Sequence, residues 1–361
     1  MTIIIFLLIL TSAVVIHELA HFFNAKSVGV PVRAFSVGMG PVLLRKQWRG
    51  TEWRLSLLPL GGYVDLPGMA AEVDEDGNLS HPQEGLATKT LWQKVWVLIG
   101  GVIANYIMAV LLLTLVTTAD PSYRSLTTGQ VPGESGTMFS DVVAGSAAID
   151  LGIAPGDVVL EINGTPNPNR SQVQQAIRND DFLELRLERA GEIVTVTSDW
   201  PPENADTPIL GVSLDAINFE PLAGVNFGQA LVESVGFTAR IVPDTVGGFA
   251  RAFGSTLTGR RSADVVGPVG IVGVVGEASQ AGILPVLVVA ALINFSLAIF
   301  NLLPIPGLDG GRMLLATLVA IRGKPFKPGQ EEMIHFIGIA VLIVFIVLVT
   351  FGEVGELITG G

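Results

Sequence analysis

Ala13-Val-Val-Ile-His-Glu-Leu-Ala-His-Phe-Phe23 closes an apolar run that begins at Thr2. On a helix, His17 and His21 are one turn apart and share a face, so two imidazole nitrogens can reach one cation while Glu18 lies beside it. That spacing suits Zn²⁺ and a water activated by a carboxylate. Two of the chain's four histidines fall within these five residues. Neither helix propensity nor burial of apolar surface calls for three polar side chains at the end of such a run.

The chain of 361 residues is 49% hydrophobic and only 15% charged, with a mean hydropathy of +0.56, which is the composition of a membrane protein. Uncharged apolar segments at 2–16 (continuing to Phe23), 95–119, 278–308 and 336–351 predict four transmembrane helices. Nothing basic precedes the first and no small-residue cleavage site interrupts it, so it reads as a span and not as a secretory signal. Eight Lys and Arg lie between Asn24 and Lys94 and four between Pro304 and Met333. The positive-inside rule puts both connections in the cytoplasm and both termini outside. The region between residues 119 and 282 carries nine basic and 20 acidic residues, nearly the whole formal charge of −12, and so makes a poor partner for nucleic acid. The absence of cysteine excludes disulfides and thiol catalysis.

Between the first two spans, 26–94, short apolar runs around Trp48-Arg-Gly-Thr-Glu-Trp53 predict a β-hairpin at the cytoplasmic boundary, then an acidic loop from Pro67 to Gly85 containing a solvated His81. Trp48, Trp53, Trp92 and Trp96 are expected as interfacial anchors. After a linker near Thr127 to Gly136, strands are predicted at 139–143, 158–162, 183–188 and 193–197, with a turn at Asn163-Gly164 and a helix at 171–178. Residues 220–277 read as an amphipathic stretch carrying Arg240, Arg251, Arg260 and Arg261 along the membrane surface, then a Gly-rich apolar approach to the third span. The third segment, 278–311, and a fourth helix at 333–352 complete the chain. His335 is expected as an interfacial side chain.

A third metal ligand is required, and the uncharged run from Ala278 delivers Asp309 to the membrane boundary, where carboxylates are costly and usually functional. Asn301-Leu-Leu-Pro-Ile-Pro-Gly-Leu-Asp-Gly-Gly311 contains two prolines and three glycines, which interrupt a helix and let backbone bend around a site. Two His and one Asp leave a fourth position open, as a catalytic zinc site needs.

Asp141-Val-Val-Ala-Gly-Ser-Ala-Ala and Leu151-Gly-Ile-Ala-Pro-Gly-Asp-Val-Val-Leu-Glu-Ile-Asn-Gly resemble a PDZ domain over residues 129–215, which implies either capture of peptide C-termini by strand addition or a ligand-free spacer or size filter. The His-Glu-x-x-His motif, Leu308-Asp-Gly-Gly311, Leu60-Gly-Gly-Tyr-Val64 and Gly267-Pro-Val-Gly-Ile271 together resemble the site-2 protease family in its bacterial, sigma-factor-activating branch. That resemblance implies a multi-pass α-helical membrane protein with four transmembrane helices, a cytoplasmic-side membrane-associated β-hairpin and an inserted extracytoplasmic α+β PDZ domain. It implies residence in the bacterial inner membrane, His17, His21 and Asp309 as Zn²⁺ ligands, and Glu18 as catalytic acid and base. Substrates would be single-span membrane proteins such as anti-sigma factors or signal-peptide remnants. Asn301 would help hold the substrate strand or else bond to a helix terminus; a second substrate-holding residue stays unassigned between Asn294 and Ser296. The alternatives are a metal-ion transporter and a catalytically silent PDZ scaffold.

Overall fold

The structure, a computed structural model, describes all residues apart from 70–71, 74–78, 81–83, 129–132, 202–209, 221–222, 259–265 and 360–361. His81, Arg260 and Arg261 lie outside the described residues. The chain forms two compact units, one from Met1–Ala119 with Asn226–Gly361 and one from Asp120–Val225.

In the first unit, α1 (Thr2–Ser27), α2 (Leu91–Ala119), α8 (Ile283–Leu302) and α10 (Gln330–Thr359) are each long and apolar enough to cross a membrane. The chain is a multi-pass membrane protein. Four such helices have no reason to break inside, because in lipid every backbone polar group must be satisfied within the segment. The second helix is the hub, packing against α1, α8, α6 (Phe227–Leu257) and α9 (Asp309–Arg322). Gly100 and Gly101 permit its close approach to α1, since a Cβ on either would overlap Asn24 or the His17 imidazole.

The β-region after α1 is more folded than a plain hairpin. Strands β1 (Ala34–Trp48) and β2 (Thr51–Asp65) are antiparallel around Arg49 and Gly50, both at positive φ, the signature of a twist-matched two-residue turn. Residues 34–37 also pair on both sides, with 52–55 and with 62–65, so the ribbon curls into four segments in the order 62–65, 34–37, 52–55, 44–48, in which 34–37 runs parallel to 52–55 and the other two neighbouring pairs are antiparallel. Its base packs on the end of α1: Phe22, Phe35 and Trp53 stack within 5.0–6.0 Å of one another. Trp53 is therefore part of a core, while Trp48, Trp92 and Trp96 stay exposed. Two short strands follow, β3 (Glu72–Val73) and β4 (Leu79–Ser80), where the sequence predicts only loop.

Three boundaries differ from the sequence expectation. Within the stretch expected as amphipathic, residues 227–257 form one long helix, α6, which buries Ala230, Ser234 and Thr238 and joins α2 through a Tyr106–Thr238 hydroxyl contact of 3.1 Å. The helix α7 (Pro268–Ala281) packs on α1 and α8, and Gly282 at φ 121° separates it from α8, so the third apolar helix begins later than Ala278 and ends at Leu302. The short connection to the last helix contains α9, unrecognised because its 14 residues carry two glycines at the start.

The second unit is an α+β fold. It comprises α3 (Arg124–Thr128), β5 (Gly133–Val142), α4 (Ala147–Asp150), β6 (Val158–Ile162), β7 (Thr165–Pro166), α5 (Arg170–Asn179), β8 (Phe182–Arg189), β9 (Glu192–Asp199) and β10 (Val212–Glu220). The sheet order is β10-β5-β6-β8-β9, with β7 on β6. Alternation along β8 buries Leu183, Leu185 and Leu187 against Val173 and Ile177 of α5, whose N-terminus is fixed by an Asn169–Gln172 capping box.

Candidate active site

His17, Glu18 and His21 stand on one uninterrupted helix, so their relative placement follows from helical geometry alone. His17 and His21 are buried and Glu18 half-buried. Asp309 arrives from 292 residues away along the chain. After Leu302 the two prolines prevent continuation of α8, and a tight turn through Leu303–Ile305 and Leu308 leads into α9 with Asp309 as its first residue. Gly310 and Gly311 let α9 close onto that turn, because a Cβ on either would strike the carbonyls of Leu302, Leu303 or Ile305. The turn is held from the other side by His335 of α10, whose Nδ1 accepts the Gly307 N–H at 2.8 Å. His335 is 9% exposed and belongs to this scaffold, not to an interface with solvent.

Three ligand atoms converge. His17 Nε2 lies 3.0 Å from His21 Nε2 and 3.0 Å from Asp309 Oδ2, and His21 Nε2 lies 3.3 Å from the same oxygen. A tetrahedral zinc with ligands at about 2.0–2.1 Å places ligand atoms roughly 3.3 Å apart, so the triangle fits the ion. The hydrogen-bond pattern points the same way. His21 Nδ1 donates to the Val97 carbonyl at 2.8 Å, which leaves its Nε2 with a free lone pair facing the other two atoms. Among the described residues no other group of three His, Cys, Asp or Glu side chains comes together in this way.

Glu18 is oriented by the β-region: the Val64 N–H, on the outer segment of the curled ribbon, donates to its Oε2 at 3.1 Å. A carboxylate held beside three atoms that could hold a metal ion can exchange a proton with a water there. Asn301 is half-buried and makes no side-chain hydrogen bond among the described residues. Asn294 is buried, donates to the Ala290 carbonyl at 2.8 Å and leaves its Oδ1 unpartnered.

Residues 5–345 match the model of peptidase family M50. The chain belongs to that family, the site-2 proteases. Similarity to individual proteins runs over nearly the whole chain. Atu1380 of Agrobacterium fabrum, whose name marks it provisionally as a zinc metalloprotease, is 30% identical over 379 residues, covering 98% of this chain and 95% of its own. Zinc metalloprotease RasP of Geobacillus kaustophilus is 26% identical over 434 residues, covering 98% and 97%.

Several groups around the site were not anticipated. The Val64 N–H and the Val97 carbonyl are backbone atoms with no signature in side-chain sequence. Gly101 and Asn105 did carry one: an Asn inside the uncharged run of α2 is a polar group where lipid offers it no partner.

Proposed function

We propose that this M50 peptidase is an intramembrane zinc endopeptidase that hydrolyses peptide bonds in the membrane-spanning segments of single-span proteins, with His17, His21 and Asp309 holding the metal and Glu18 as acid and base. The observation that carries the reading is the buried triangle, 3.0–3.3 Å on a side, of two imidazole nitrogens from the helix that also bears Glu18 and one carboxylate oxygen from the start of α9. Bound zinc supplies Lewis acidity to a water and to the peptide carbonyl. Glu18 takes the proton of the attacking water and returns it to the departing amine nitrogen as the C–N bond breaks. The Val64 N–H keeps one carboxylate oxygen fixed, so the other is free for that proton. Asn301, which makes no side-chain hydrogen bond among the described residues and stands just before the turn that carries Asp309, would bind the substrate backbone.

A helical substrate must unwind before its carbonyl can be attacked. The curled ribbon has two outer segments, 44–48 and 62–65, and the second adjoins Glu18, which favours pairing of an extended substrate strand on that side. Segment 52–55 is paired on both flanks and cannot take part. Proline substitutions along the ribbon that left cleavage intact would contradict the pairing.

The second unit, over residues 129–215, is read as a PDZ domain from its motifs and its α+β sheet. It lies outside the cytoplasm by the charge rule, where it would exclude bulky ectodomains or bind new C-termini. Anti-sigma factors and signal-peptide remnants are the substrate classes that the family resemblance implies, and the bacterial inner membrane the location. A transport path would need ligands spread along the spans, and among the described residues the ligand groups form a single cluster.

The test is cleavage of a tagged single-span substrate by purified protein in lipid, with zinc measured in the same preparations. Wild type should cut, Glu18→Gln should keep zinc and not cut, and Asp309→Asn should lose both. Equal cleavage by all three would overturn the assignment.

A further inference from the structure

On α2, Asn105 is fully buried in an apolar span, its Nδ2 lies 3.4 Å from His17 Nδ1, and its Oδ1 has no hydrogen-bond partner among the described residues. An amide nitrogen facing Nδ1 would require that nitrogen to carry a lone pair and Nε2 to carry the proton. Nε2, however, is the atom that meets His21 and Asp309. If it is a metal ligand it must be unprotonated, and the ring proton then sits on Nδ1 and needs an acceptor. The two ends of a carboxamide have the same shape, so the hydrogen bonds decide which faces the ring.

We propose that Asn105 is the positioning residue for His17, with its amide turned so that Oδ1 accepts the Nδ1–H. It stands to His17 as the Val97 carbonyl stands to His21. One α-helix thus supplies an acceptor to each imidazole, and Gly101, one turn before Asn105, clears the space the His17 ring occupies. The amide fixes the tautomer and the ring plane and makes Nε2 a better donor to the metal. This role rests on the assignment of His17 as a metal ligand.

The experiment measures zinc affinity of the full-length protein in detergent by competition with a chromophoric chelator, together with thermal stability of the metal-free form. Asn105→Leu keeps the size of the side chain and removes the acceptor. Asn105→Asp keeps the acceptor and removes the donor. Zinc affinity should fall about 10–100-fold in Asn105→Leu and stay within about threefold of wild type in Asn105→Asp, on the same carboxyl-acceptor logic. Wild-type affinity in Asn105→Leu would overturn the proposal, as would equal weakening of both variants with unchanged metal-free stability. If Asn105→Leu does not fold, Asn105→Asp decides alone: retained affinity upholds the acceptor role and a tenfold loss overturns it. His17→Ala serves as reference. Stoichiometric zinc retained in His17→Ala would refute the metal-site reading itself, whereas zinc lost in His17→Ala but untouched in both Asn105 variants would refute only the positioning role.

Discussion

Asp309 in the membrane unit and Asp157 in the second unit are both buried carboxylates, at 9% and 0% exposure, and their partners separate them. Asp157 is gripped by Arg189, whose Nε and a terminal nitrogen each donate at 2.7 Å, and it accepts the Ala154 N–H at 2.8 Å. Its charge is cancelled on the spot. Asp309 meets two imidazoles whose own far nitrogens are engaged or directed elsewhere, and no Lys or Arg reaches it among the hydrogen bonds and ion pairs described. Three electron-pair donors facing one point need a shared cation. Asp157 has a built-in cation that ties the second unit together; the proposed metal would fill that part for Asp309.

Substitutions at the two carboxylates should therefore fail differently. The largest effect belongs to Asp309→Asn, which should abolish both stoichiometric zinc and proteolysis while the helical content measured by circular dichroism stays at wild type. Glu18→Gln should cost about 10³-fold in cleavage rate with zinc unchanged; a metal-free Glu18→Gln protein would move Glu18 from proton carrier to ligand. His335→Ala removes the acceptor of the Gly307 N–H, a loss of about 1–3 kcal/mol for a buried donor. It should lower cleavage by about tenfold through a loosened Asp309 turn, given that 1.4 kcal/mol is one decade. His335→Gln, which can still accept, should recover most of that.

The smallest effect on activity is expected from Arg189→Met, which should leave zinc binding alone and destabilise the second unit by about 2 kcal/mol, the cost of a buried carboxylate deprived of its partner. Burial opposes ionisation of Asp157, but the Arg189 guanidinium and the Ala154 N–H outweigh it and hold the carboxyl below its ordinary range. A lowered folded value means this contribution is complete above the unfolded carboxylate pKa of about 4 and disappears as pH falls through the folded value. Thermal melts of the second unit from pH 7 downward should show that acid loss in wild type and a flatter acid limb in Arg189→Met. Identical limbs would remove Asp157 from the account.

The same contrast explains what could be read in the sequence. His17, Glu18 and His21 were legible because helical spacing is local, and Asp309 because a carboxylate at the end of a long apolar run is costly. Four of the second unit's six strands were legible, Val158–Ile162 to the residue and β5 only over its C-terminal part, whereas β7 and β10 were not expected. The turn that delivers Asp309 was visible only as prolines and glycines. Its anchor His335 lies 28 residues from the Gly307 it holds and was read as an interfacial side chain. The curl of β1 and β2 escaped notice since pairing of 34–37 on both flanks leaves no periodic trace. The amphipathic pattern of α6 gave no sign that Ser234 and Thr238 would be buried while Arg240 and Asp244 stay exposed.

The most direct measurement is zinc K-edge X-ray absorption on wild type and Asp309→Asn. One zinc per wild-type chain, with N and O neighbours at about 2.0–2.1 Å and the outer-shell signature of two imidazoles, lost in the variant, is the predicted result. A wild-type protein without stoichiometric zinc, or a spectrum unchanged by Asp309→Asn, would contradict the assignment of His17, His21 and Asp309 as one metal site.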